Sequence, residues 1–124
     1  MQDPKDSDLS EVHAIEQENE VELWSIKNFK DSILAKYFFK IFFLNETIVG
    51  FIVARLIPHE CEILNIGVTK SVRKKQVASK LMDALIGECH NKNIKHIFLE
   101  VRTSNIPAIS LYKKFYFNEI GVRP

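Results

Sequence analysis

Apolar residues recur along this chain with two different periods. Between Asp8 and Asn19, Leu9, Val12 and Ile15 fall at helical spacing, with Ser7 or Asp8 available as a cap. A second helix is predicted from Ser25, whose hydroxyl suits an N-cap, with Trp24 and Phe29 at the positions of a hydrophobic staple. Ile26, Phe29, Ile33 and Tyr37 continue its buried stripe. The pattern then turns aromatic and β-branched. Phe38 to Leu44, a tight turn at Asn45-Glu46, and Thr47 to Ile57 read as a hairpin. Pro58-His59 closes it, and Glu62 to Thr69 reads as a third, largely buried strand.

The second half alternates. Ala78, Leu81, Met82, Leu85, Ile86 and Cys89 form one face of an amphipathic helix that ends at Asn91-Lys92-Asn93. His96 to Arg102 is a strand. Ser104 or Asn105 can cap a short helix with Pro107 in its first turn and Ala108, Leu111, Tyr112 and Phe115 inside. Phe117 to Val122 reads as a last strand. Hairpins followed by β-α-β-α-β imply a mixed sheet with helices packed on it. The unit from Glu62 to Arg102 should be a right-handed crossover between parallel neighbours.

A length of 124 residues fits one domain spanning residues 1–124, with a core that needs no metal or disulfide staple. The longest apolar runs fall far short of the roughly 20 residues of a membrane-spanning helix, and the acidic, polar start is unlike a secretory signal. Cys61 and Cys89 are too few for a Cys-rich scaffold and read as reduced thiols of a cytoplasmic protein. His13, His59, His90 and His96 show no metal-ligand spacing. No metal, membrane or nucleic-acid partner is expected.

The net charge of +1 conceals an asymmetry. Met1 to Ser25 holds eight acidic residues and one basic, leaving 16 basic against 8 acidic in the rest. Such a split suits two ligands of opposite charge. Glu16, Glu18, Glu20 and Glu22 flank the first inter-helix connection, either as a solvated acidic helix end or as an attraction for a basic ligand. The strand Ile63-Leu64-Asn65-Ile66-Gly67-Val68 runs into a basic turn and then a helix N-terminus, where unpaired N–H groups favour phosphate. Lys70, Arg73, Lys74, Lys75 and Lys80 add charge, and a pyrophosphate-bearing ligand is the natural guest.

These residues also carry a resemblance. Ile66-Gly67-Val68, Arg73-Lys74-Lys75-Gln76-Val77-Ala78 and Leu81-Met82 resemble the acetyl-CoA motif of the GNAT N-acetyltransferases, Arg/Gln-x-x-Gly-x-Gly/Ala. Phe98-Leu99-Glu100-Val101-Arg102, Ser104-Asn105, Ala108-Ile109, Leu111-Tyr112 and Phe115 to Glu119 resemble the signature of the RimI-type ribosomal-protein-alanine N-acetyltransferases. With Ile15-Glu16-Gln17 and Trp24-Ser25, the likeness covers nearly the whole chain.

The resemblance implies an α/β (α+β) fold. Its sheet would be mixed and mostly antiparallel, with a splayed parallel strand pair, about four helices, and the first and last strands lacking. It implies acetyl transfer from acetyl-CoA to a protein N-terminal amine, with a basic ribosomal-protein terminus as partner. Ile66, Gly67 and Val68 would meet the pantetheine arm, Arg73, Lys74, Lys75, Gln76, Val77, Ala78 and Ser79 the pyrophosphate, and Asn105 the cofactor from the next strand. Glu100 and Tyr112 match the general base and general acid. Gln76 stands at the motif glycine; a left-handed backbone there would cost about 1–2 kcal/mol, and ordinary helical geometry nothing. A small-molecule amine as acceptor, or a non-catalytic CoA-binding domain, are the competing readings.

Overall fold

The structure is a computed structural model that describes residues 1–18, 24–72, 74–102 and 121–123. A 3₁₀ turn at Asp6–Asp8 leads into α1 (Leu9–Glu16), followed by α2 (Ile26–Leu34) and the strands β1 (Phe38–Leu44), β2 (Thr47–Ile57) and β3 (Glu60–Val68). Helix α3 (Lys74–Asn91), β4 (His96–Arg102) and β5 (Gly121–Arg123) complete the described elements. The sheet order is β1-β2-β3-β4-β5, antiparallel across the first two junctions and parallel across the last two. The fold is therefore the mixed sheet with a parallel β3–β4 pair that the pattern implies. The expected helix after Ser104 lies outside the described residues, as does the last strand up to Ile120.

Local chemistry explains most boundaries. Ser25 caps α2 by accepting from the Asn28 N–H, and Asn28 reaches back to the Ser25 N–H at 2.9 Å. Trp24 and Phe29 make the staple, their ring centroids 5.1 Å apart. Asn45 and Glu46 both take positive φ, 50° and 67°, which matches a two-residue hairpin turn to the twist of its strands. The start of α1 differs from expectation. Asp8 gives its carboxylate to the Lys5 N–H at 2.8 Å, one turn earlier, so the chain enters the helix through a 3₁₀ turn without a side-chain cap. Ile26 is 42% exposed, so the buried stripe of α2 begins only at Phe29. Gln2 pairs with Ile41 through two backbone hydrogen bonds of 3.0 and 2.9 Å, a one-residue bridge on the outer edge of β1 where no strand was expected.

The sheet has an apolar layer on each face. Helix α3 covers one, where Leu81, Met82, Leu85 and Cys89 pack on Ile52, Ala54, Cys61 and Ile63. Helices α1 and α2 cover the other, where Leu9, Val12, Ile15 and Phe29 pack on Phe39, Ile41, Phe51 and Val53. Phe29 is the hub of that layer, edge-on to Phe51 at 5.2 Å and tilted against Phe39 at 5.9 Å. The two ends of α3 are fixed differently. Near its start, Gly50 leaves room for Val77 and Leu81, since a Cβ there would lie 2.8 Å and 3.3 Å from their methyl carbons. At its far end, the buried thiols of Cys89 and Cys61 lie in the same apolar layer.

Candidate active site

The parallel junction comes apart part-way along β3. Its register with β4 runs from Glu60↔His96 to Ile63↔Leu99 and stops there, although β3 continues to Val68 and β4 to Arg102. At the same point β3 carries a bulge. Val53 pairs with Asn65 but Ala54 pairs with Ile63, so Leu64 is an extra residue. A bulge bends its strand and increases its twist, and the extra residue falls where β4 leaves β3. Five residues of β3 run past the last β4 partner, on the order of 15 Å of strand.

Strand alternation fixes which backbone groups face the gap. The Thr69 N–H donates to the Val49 carbonyl at 2.9 Å, so Thr69 and, two and four residues earlier, Gly67 and Asn65 turn their backbone groups toward β2. Ile66 and Val68 therefore turn their N–H and C=O groups away from β2, into the gap. Their side chains sit in the α3 layer. Gly67 serves packing, because a Cβ at this position would lie 2.6 Å from Phe51 Cε1 and 3.4 Å from Ile15 Cγ2.

Helix α3 starts six residues beyond Val68, and the N–H groups of its first turn, Lys74 to Val77, have no partner within the helix. Gln76 is exposed in that turn with helical φ, so the substitution for glycine carries no left-handed strain. Val77 and Ala78 are buried and Ser79 half-buried, so the first two offer a ligand backbone rather than side chain. Lys74 and Lys75 open the helix. Glu100 is the first β4 residue past the split, and its other neighbour in register is Gly121 of β5. Arg73, Asn105 and Tyr112 lie outside the described residues.

The acidic segment behaves differently from its sequence. Glu16 is 2% exposed, and its Oε2 accepts from the Trp24 N–H at 2.9 Å and from Asn65 Nδ2 at 2.8 Å. Glu18 accepts from Thr69 Oγ1 and the Lys70 N–H, each at 2.8 Å. Two of the four carboxylates that could attract a basic ligand thus hold the end of α1 against β3 and the turn after it. The sequence carried a signal for this: Glu16 follows Val12 by four residues on the buried face, and Asn65 interrupts an apolar strand.

Other features lie elsewhere. A recess of about 570 Å³ is lined by Lys36, Lys40, Arg55 and Lys92, among others, at the start of β1 and the end of β2, the far end of the sheet from the gap. Among the described residues no group of three or more His, Cys, Asp or Glu could hold a metal ion, and no helix is long and apolar enough to cross a membrane.

A parallel strand pair that splays apart is what the sequence resemblance implied. The acetyltransferase (GNAT) family model matches residues 9–117. The chain belongs to the GNAT family. It is an acetyl-CoA-dependent N-acetyltransferase by that membership. The [ribosomal protein bS18]-alanine N-acetyltransferase of Escherichia coli K12 is 29% identical over 117 residues, 94% of this chain and 79% of that protein. The solved structure of the ribosomal-protein-S18-alanine N-acetyltransferase from Escherichia coli superposes with a TM-score of 0.85 at 28% identity, covering 95% of this chain and 76% of that one. Arabidopsis thaliana Naa50, solved with a bisubstrate analogue CoA-Ac-MVNAL, has a TM-score of 0.78 at 28% identity over 92% of this chain and 79% of that one. This GNAT chain thus resembles proteins whose names describe acetylation of a ribosomal-protein alanine.

Proposed function

We propose that this chain is a single-domain cytoplasmic enzyme that moves acetyl from acetyl-CoA to the α-amine of a protein N-terminus, with a ribosomal-protein terminus as the substrate class. The observation that carries the reading is the parting of β3 from β4 beyond Ile63↔Leu99. It leaves strand-like hydrogen-bonding groups of Ile66 and Val68 facing an opening, which suits the amide-bearing pantetheine arm. The first turn of α3 suits the pyrophosphate, because its N–H groups and the macrodipole favour anions. Lys74 and Lys75 add full charge there, Ser79 follows in the same helix, and the family resemblance adds Arg73 and Asn105 to the cofactor contacts.

The chemistry follows from the acceptor. A peptide α-amine has a pKa of about 7.7–8.0, so freeing its lone pair at pH 7 costs about 1 kcal/mol, against about 4.6 kcal/mol for a lysine near 10.4. Glu100, at the mouth of the split, takes that proton directly or through one water. The neutral amine attacks the thioester carbonyl, polarised by a backbone N–H of Ile66 or Val68. As the C–S bond breaks, the departing thiolate, conjugate to a thiol near 8.5, receives the Tyr112 proton, and the second proton shed by the acylated nitrogen returns to the phenolate.

Calorimetric titration with acetyl-CoA and CoA, followed by thiol release with a panel of N-terminal peptides, tests the reading. Binding plus turnover on a small, unblocked N-terminal residue supports it. Binding without turnover on peptides or small amines leaves a CoA-binding domain instead. Tyr112→Phe keeps the ring and removes the proton, and should lower kcat by roughly 10- to 1,000-fold with CoA affinity unchanged. Wild-type turnover in that variant would reduce Tyr112 to packing.

A further inference from the structure

We propose that Glu18 is a positioning residue for the turn between β3 and α3, and through it for the cofactor's phosphates. The inference rests on the CoA-binding reading above and adds a residue that the family motif does not contain. Glu18 lies two residues past α1, outside both the strand and the helix that form the gap. Its two carboxylate oxygens divide their work: Oε2 accepts from the Thr69 hydroxyl and Oε1 from the Lys70 N–H, each at 2.8 Å. Those two residues are the first of the segment that leads from β3 into the basic start of α3.

Among the described residues, that segment has two further backbone ties. Thr69 donates its N–H to Val49 of β2, and the Val72 N–H reaches the Thr69 carbonyl only at 3.5 Å. Val72 packs against the α3 layer. Among the described residues, β2 holds the chain at Thr69 and Lys70 from one side and Glu18 from the other. Charge-assisted hydrogen bonds to a carboxylate are short and about twice as strong as neutral ones, which suits a fixed anchor. Glu16 secures the same end of α1 to Asn65, so Glu18 projects from a fixed base.

Charge and position predict opposite signs. Glu18 is an anion beside a turn that would receive an anion. If only its charge mattered, removing it would make the site more positive and tighten CoA binding. If it positions the turn, removing it weakens binding despite the gain in positive charge. The sign separates the two.

The test is calorimetric titration of CoA into wild type, Glu18→Ala, Glu18→Gln and Thr69→Val, with melting temperatures measured on the same samples. Glu18→Ala removes both hydrogen bonds and should weaken CoA about tenfold. Glu18→Gln keeps an acceptor for one of the two donors and should recover part of that loss. Thr69→Val removes one donor and should cost about threefold, and adding it to Glu18→Ala should cost nothing more. Equal or tighter CoA binding in a folded Glu18→Ala protein overturns the proposal while leaving the CoA reading intact. If Glu18→Ala does not fold, Thr69→Val decides: unchanged affinity there overturns it as well. A wild-type chain that binds no CoA overturns both.

Discussion

Two glycines in this chain should respond to alanine with opposite signs, and Gly67 is the more informative. Neither has positive φ, so the backbone tolerates alanine at each, and space decides the outcome. At Gly67 the new methyl would sit 2.6 Å from Phe51 Cε1 and 2.9 Å from its Cζ. Phe51 has nowhere to go: it is fully buried and edge-on to Phe29 at 5.2 Å. Overpacking of this kind costs about 1–3 kcal/mol. Against it stands the roughly 0.4–1 kcal/mol that glycine-to-alanine returns by restricting the unfolded chain. The expected net loss is about 1–2 kcal/mol, read from urea unfolding by linear extrapolation. Gly67 lies between Ile66 and Val68, so a displaced strand should also weaken CoA binding. Phe51→Leu removes the clashing ring, and the double variant should be about 1 kcal/mol more stable than the two single losses added together. Gly87, where a new methyl would meet nothing within 4 Å, should instead gain about 0.5–1 kcal/mol as alanine in mid-helix. A Gly67→Ala protein as stable as wild type, or a strictly additive double variant, would refute the steric account.

Three more outcomes follow from the same structure. Glu16→Ala should destabilise by about 2–3 kcal/mol, because it strips a carboxylate from the Trp24 N–H and the Asn65 amide; a loss under about 0.5 kcal/mol in urea would show that water replaces it. The neighbouring Cys89 thiol and burial push the Cys61 thiol above the usual cysteine range, while the same contact moves Cys89 the other way. The folded chain then holds the Cys61 proton after the unfolded chain releases it near pH 8.5. The resulting stabilisation is complete below that pH and is lost as pH rises above it, with a slope approaching about 1.4 kcal/mol per pH unit. Unfolding curves of wild type and Cys61→Ala between pH 8 and 10 check this, and parallel profiles would exclude the thiol as the cause. Lys74→Ala with Lys75→Ala should weaken CoA binding and flatten its salt dependence, measured by titration at two ionic strengths; an unchanged salt slope would remove both lysines from the phosphate site.

The elements were legible because their signals are local. The Ser25 cap and the Trp24–Phe29 staple act within five residues, and Asn45-Glu46 turns the hairpin by its own backbone preference. The boundaries of β1, β2 and β4 agree with the reading of alternation and turn residues. Charge was the weaker guide. Glu16 and Glu18 count as acidic surface in a composition, but Glu16 is buried against Asn65 of β3 and Glu18 holds the turn after it, because α1 packs over that strand. The start of α1 also escaped, since Asp8 serves the preceding turn rather than its own helix.

By itself, the sequence determined which of the described stretches are helix and which are strand, their order, and the family motif at Ile66 to Ala78 and Phe98 to Tyr112. Periodicity and capping are short-range, and a motif is a string. Only the tertiary structure decided where the parallel pair opens. That depends on the register of β3 against two neighbours at once, with Leu64 extra against β2 at the point where β4 leaves at Ile63↔Leu99. It also decided why Gly67 must be small, because Phe51 is its neighbour only across the sheet. Contacts between Glu18 and the β3–α3 turn span 51 and 52 residues, a separation that no local pattern encodes.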